Sequence, residues 1–280
     1  VTLASTTLRS AGTGVAALEV PGGATFAGTG LRIEALGEEA PGVVVAGTAS
    51  LTGGTVRTLG PGAVALRSSG SLQVAGTLVV AVRSGAVVLV GGRSLSLTET
   101  ALVAGDGPAV DWDPGTGEGP GTVTITGGSL ACTGGPVFQA NRPGSVANLR
   151  GVLVSRGPGP LAQVALEASL TIHAAAQVLE GPLVVGTGGS VLLDLTEGSV
   201  WTGITDPDPL AGTVDLTLSP NSVWNVADDC WVEVLKVTGG FDGLKSVHSG
   251  GHIVHYRTSV NAWLGGRTWP LDGGGSLVPY

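Results

Sequence analysis

The chain has 280 residues, a formal net charge of −8 and only 12% charged residues. Its 13 Lys and Arg are scattered singly, which excludes a basic patch able to neutralise a run of phosphates, so no nucleic acid partner is expected. Gly supplies 49 residues, yet 42% hydrophobic content excludes a disordered polymer, so the glycines punctuate a core.

In chain order the sequence divides into ten blocks: 1–24, 25–48, 49–70, 71–93, 94–121, 122–144, 145–168, 169–189, 190–212 and 213–240. Most open with Ser or Thr, an apolar residue, any residue and a second apolar one, as in Ser71-Leu72-Gln73-Val74, Ser94-Leu95-Ser96-Leu97, Thr122-Val123-Thr124-Ile125, Ser169-Leu170-Thr171-Ile172 and Ser190-Val191-Leu192-Leu193. Most close on glycine, as at Gly70, Gly121, Gly144, Gly188-Gly189 and Gly212. Short alternating strands cut by glycine at this period predict a solenoid in which one block is one coil, with Val, Leu, Ile and Ala laddered along the inside.

The first block opens at once in strand-like sequence, and no amphipathic helix plugs its coil. An open edge is expected there, with Val1 and Leu3 as candidates for contact with another molecule. In block 71–93, Leu78–Val82 and Ala86–Val90 are apolar at nearly every position, so both strand faces avoid water. A solenoid interior buries only one of them, which makes Val80 and Val88 candidates for an interface with a second copy or with the end segment. The run from Leu78 to Val90 is broken by Arg83, Ser84 and Gly85, so no transmembrane segment is expected. Asp111 to Pro120 reads as an inserted loop carrying Trp112, and Pro160 to Val178 holds one helical turn at most. Cys132 and Cys230 are about four coils apart, roughly 4.8 Å each, too far for a disulfide within one stack; two buried thiols are expected.

Past residue 200 the composition changes. Trp201, Trp224, Trp231, Trp263 and Trp269, both Tyr and three of the four His lie there, and after Gly240 the repeat fades. Residues 241–280 are expected to cap the solenoid or mediate assembly, with Trp263, Trp269 and Tyr280 as interface candidates. The run 190–226, with Ser-Val-Leu-Leu-Asp-Leu-Thr-Glu-Gly-Ser-Val-Trp-Thr-Gly at 190–203 and Ser222-Val223-Trp224 further on, followed by Val234-Leu235-Lys236-Val237, resembles the passenger domains of pertactin-like autotransporters. The resemblance implies a right-handed parallel β-helix of extracellular location. Here about ten coils with an aromatic-rich C-terminal cap are expected. The chain departs from that family in lacking a C-terminal membrane barrel and an Arg-Gly-Asp tripeptide. A sequence that begins at Val1 and contains no Met fits a cleaved secretory leader, and with it a secreted or cell-surface location.

Catalysis finds little support. The carboxylate pairs Asp111/Asp113, Asp206/Asp208 and Asp228/Asp229 resemble the acid-base pairs of glycan-cleaving β-helix enzymes, but the sequence sets no basic partner beside them and they equally suit turns. Asp206-Pro207-Asp208-Pro209 and Asp106-Gly107 could bind calcium, or simply turn the chain. His248, His252 and His255 could bind a transition metal, but no Cys or carboxylate at zinc-type spacing joins them. No catalytic, cofactor or metal residue is assigned. The expectation is a non-enzymatic, extracellular structural protein that self-associates, head to tail or laterally, into a layer or filament. The alternatives are a cell-surface glycan adhesin using Trp112, Trp201 and Trp224 as sugar platforms, although these tryptophans could instead staple coils, and a polysaccharide lyase or hydrolase.

Overall fold

The computed structural model describes residues 1–113, 119–205 and 212–280. These residues form a parallel β-solenoid of about 12 coils. That is two more than the repeat suggests, because parallel pairing runs on past residue 240. Val223–Val226 pairs with Val247–His248, and Cys230–Val232 pairs with Ile253–Tyr256, which pairs in turn with Ser276–Pro279.

Each coil contributes strands to three faces. The first face stacks Ser71–Ala75, Ser94–Thr98, Thr122–Thr126, Ser145–Arg150, Ser169–Ala175, Ser190–Thr196, Thr213–Leu218 and Val234–Val237. The second stacks Leu78–Ala81, Ala101–Ala104, Ser129–Cys132 and Leu153–Arg156, and a further ladder carries Val178–Glu180, Val200–Gly203 and Val223–Val226. The third runs from Leu18–Val20 through Val87–Val90 and Val110–Asp113 to Leu183–Val185. Two longer strands, Thr25–Ala35 and Thr48–Thr58, bend round the corner between the first and second faces.

Alternation along each strand sends every second residue inward. On the first face the inward rows include Leu72, Leu95, Val123, Ala147, Ile172, Leu193, Leu216 and Leu235, all buried. The corner after this face is built from a column of left-handed residues: Ser5, Gly30, Gly53, Gly76, Glu99, Gly127, Gly151 and Ala176 have φ between 47° and 64°. Glycine takes that conformation without Cβ strain, which explains why most blocks carry one there. Just beyond it, buried hydroxyls hold the carbonyls of the turn: Thr77 Oγ1 donates to Gly53 O (3.2 Å), Thr100 Oγ1 to Val74 O (3.2 Å) and Ser199 Oγ to Ala174 O (2.9 Å).

The two extremities differ. Thr2–Ala4 and Thr7–Ser10 pair only with Thr25–Ala35, and Leu18–Val20 only with Val43–Val45, so these strands leave one backbone edge unpaired. At the other extremity, side chains occupy the edge of Val234–Val237. Asn261 Oδ1 accepts from Leu235 N (2.9 Å), its Nδ2 donates to Glu233 O (2.7 Å), and Trp263 Nε1 donates to Leu235 O (3.1 Å). Phe241 stacks on Trp269 at 4.4 Å and lies 5.6 Å from Trp263.

One local expectation is corrected. Asp111 to Asp113 is not loop: Val110–Asp113 is a third-face strand in register with Val87–Val90, while 114–118 of that run lie outside the described residues. Pro160 to Val178, expected to hold at most one helical turn, contains the strands Ala162–Val164 and Ser169–Ala175. Cys132 and Cys230 are both free and buried, and burial pushes the Cys230 thiol up to about 11. Among the described residues, no helix is long and apolar enough to cross a membrane.

Candidate functional site

The three outer faces differ in chemistry. The first presents Gln73, Ser96, Thr124, Asn148, His173, Asp194, Thr217 and Lys236 in one outward row, with Asn148 Nδ2 donating to Thr124 Oγ1 (3.3 Å) and His173 Nδ1 3.2 Å from Asp194. The second presents two outward rows. One is Thr55, Leu78, Ala101, Ser129, Leu153; the other is Arg57, Val80, Val103, Ala131, Ser155. Val178 and Glu180 continue these rows one coil on, because Val178 follows left-handed Ala176 by two residues, as Leu78 follows Gly76 and Leu153 follows Gly151. From Leu78 to Val178 neither row contains a charge, and Leu78, Leu153 and Val178 are 42%, 72% and 64% exposed. Exposed apolar side chains aligned in an uncharged row are a common feature of contact surfaces.

Glycine shapes this face at one end. Gly30 and Gly54, with Arg32, Glu34, Thr55, Arg57, Leu78 and Val80, line a hollow of about 610 Å³. Arg32 is bound to Glu34 at 2.6 Å. Arg57 has no ion-pair partner among the described residues, and neither does Glu180.

Of the interface candidates, Val80 lies on this face and is half-buried. Val88 does not serve as one. It is 9% exposed, flanked in register by Arg67 and Asp111, and Arg67 reaches past it to within 3.7 Å of Asp113. Val1 is 86% exposed, Leu3 packs part-buried on the core, Trp263 and Trp269 are half-buried against Phe241, and Tyr280 is 40% exposed.

The tryptophans proposed as sugar platforms are corrected outright: Trp112, Trp201 and Trp224 are each 0% exposed. Trp201 and Trp224 occupy the inward row of the second face and stack at 5.4 Å with 10° between their planes. Each indole donates to a glycine carbonyl one coil back, Trp201 Nε1 to Gly181 O (3.0 Å) and Trp224 Nε1 to Gly203 O (3.1 Å), while Trp112 Nε1 donates to Gly121 O (2.8 Å). A Cβ at Gly203 would collide with the Gly181 carbonyl, so glycine at this corner makes room for the indole. At Trp201 the ring shares the inward parity of buried Ser199 and Gly203, and at Trp224 that of Ser222 and Val226.

A second arrangement was not legible from spacing. At the corner between the second and third faces, Arg156, Glu180, Gly181, Thr202, Gly203 and Asp228 line a groove of about 400 Å³. Next to it, Asp228, Asp229 and His252 offer ligand atoms within 4.8 Å of one another. His252 Nδ1 lies 3.8 Å from Asp228 and 3.6 Å from Asp229. Both carboxylates already close turns: Asp228 Oδ1 accepts from Asp229 N (2.8 Å) and Asp229 Oδ1 from Ile253 N (2.7 Å). The three histidines do not converge. His248 Nδ1 lies 3.1 Å from Asn225 Oδ1, while His255 stacks on Trp231 at 4.8 Å. Asp206 and Asp208 lie outside the described residues.

Asp111 stands apart chemically. Burial, reinforced by the charge of Asp113 and opposed by the hydrogen bond from Asn141 Nδ2 (2.8 Å), pushes its carboxyl up to about 6. It lies on a third-face strand beside Asp113, which Arg67 approaches to 3.7 Å. No family model, curated protein or solved structure matches the chain.

Proposed function

We propose that the chain is an extracellular structural β-solenoid that acts by self-association and has no catalytic role. The observation that carries this reading is the uncharged outer surface of the second face from Leu78 to Val178, set against a polar first face on the same coils. The resemblance of residues 190–240 to pertactin-like passengers supports a surface location and a right-handed coil. A body held together by nearest-neighbour coils is rigid along its length and gives a lateral contact many equivalent steps to bind along.

The test is light scattering with sedimentation velocity over a concentration series of wild type and Leu153→Lys. Leu153 is 72% exposed, so the substitution leaves the monomer fold within about 0.5 kcal/mol. The expected result is a wild-type mass that rises with concentration and a variant that stays monomeric. Wild type that remains monomeric at the highest soluble concentration overturns the proposal. A second reading, glycan binding, now rests on the groove of Arg156, Glu180 and Asp228 rather than on tryptophan. Polysaccharide binding or turnover lost in Asp228→Asn would favour it.

A further inference from the structure

We infer that the second face binds a second copy of this chain in antiparallel orientation, about a two-fold axis that crosses the face between Ala101 and Ser129, parallel to the strands. This rests on the self-association reading and adds its geometry.

Three features obey the same axis. An axis along the strand direction reverses the solenoid but keeps each outward row opposite itself. It therefore brings Leu78 against Leu153 of the second copy, and Thr55 against Val178 of the second copy. The hollow at Gly30, Gly54 and Leu78 then receives the projecting Leu153 and Val178, the two most exposed apolar side chains of the face. In the adjacent row, Arg57, which follows Glu34 in register, meets Glu180 of the second copy. Neither Arg57 nor Glu180 is within ion-pair distance of a partner among the described residues, although Arg57 adds to the positive field on Glu34, and the axis pairs them twice per dimer. At the centre only Ala101, Val103, Ser129 and Ala131 touch, and all are small or apolar.

The other two-fold arrangement gains nothing from charge. With the axis along the solenoid, each coil faces the same coil of its copy and the two outward rows exchange, so Arg57 faces Thr55 and Glu180 faces Val178, and each charge stands level with its like rather than with an opposite partner. The antiparallel footprint covers the six coils from Thr55 to Val178 at roughly 4.8 Å by a strand of about four residues, on the order of 400 Å² per copy. That is below the usual size of specific interfaces, so the dimer should be weak and form only at high micromolar concentration.

The experiment uses Leu78→Cys and Leu153→Cys chains, separately and mixed, with a short bis-maleimide whose reach matches the about 10 Å spacing of packed sheets. The native Cys132 and Cys230 are buried and do not compete. The expected result is a cross-linked dimer from the mixture and none from either chain alone, because like positions lie about 14 Å apart along the axis. Arg57→Glu and Glu180→Arg should each weaken association about tenfold, and the double variant should restore it to within about threefold of wild type. Cross-linking of Leu153→Cys alone would show parallel pairing and overturn the inference. So would a wild-type dimer whose mixed cysteine chains fail to cross-link, with self-association itself left standing. A wild type that stays monomeric overturns both.

Discussion

Gly76 sits at the first corner with φ 55°, and a Cβ added to it would meet no atom within 4 Å. Any cost of Gly76→Ala is therefore conformational, and about 1 kcal/mol of destabilisation is expected in urea unfolding. Ala176 occupies the same column at φ 51° with a Cβ in place, so Ala176→Gly should stabilise by about 0.5 kcal/mol, the relief exceeding the extra freedom of glycine in the unfolded chain. Shifts of the same sign in the two variants would show that packing, not φ, governs the column. Asp111 gives a pH signature. Its folded value near 6 exceeds the unfolded value of about 4, so the folded chain holds the extra proton between them. The stability this provides is full below about pH 4 and is lost as pH rises through 6. Asp111→Asn should match wild type at pH 4 and exceed it by about 2 kcal/mol at pH 8, read from urea midpoints at the two pH values.

Within single strands and turns, edges decide local stability. Asn261 is 1% exposed and substitutes for a neighbouring strand by binding Leu235 N and Glu233 O. Asn261→Ala leaves both backbone groups buried and unpaired, a cost of about 3 kcal/mol. Because coils touch only their neighbours, amide exchange should quicken across Val234–Val237 and leave Ser94–Thr98 unchanged. Uniform quickening along the chain would refute that locality. The same dependence on neighbours sets what a reader of the sequence can recover. Coil openings were legible because Ser94 and Thr122, and Ser169, Ser190 and Thr213, are register partners on one face. Past 240 the openings lose their Ser/Thr mark and the second-face strand shrinks to Val247–His248, so the last coils read as a cap. The indoles of Trp201 and Trp224 follow apolar Val200 and Val223, so two adjacent apolar residues compete for the inward side and parity alone does not choose. Asp228, Asp229 and His252 meet only through a coil of 24 residues whose length must be known first.

Across the whole molecule the charges are sparse and unevenly placed, and that unevenness gives the second face its meaning. A rod with polar residues on all sides would stay monomeric. This one keeps Asp194, His173 and Lys236 on its first face and clears charge from the two outward rows of the second between Arg57 and Glu180, leaving Arg156 at the corner. The proposed association through that face would involve the folded chain alone, so it would also raise apparent stability by mass action. Raising protein concentration tenfold above the dissociation constant should lift the wild-type melting temperature by on the order of 2 °C. Leu153→Lys should melt at one temperature whatever its concentration, and close to dilute wild type, because the side chain it replaces stands 72% exposed and supports no contact of the monomer core. A concentration-dependent melt that persists in Leu153→Lys would place the contact elsewhere, with the unpaired edge of Thr2–Ala4 and Thr7–Ser10 the next surface to alter.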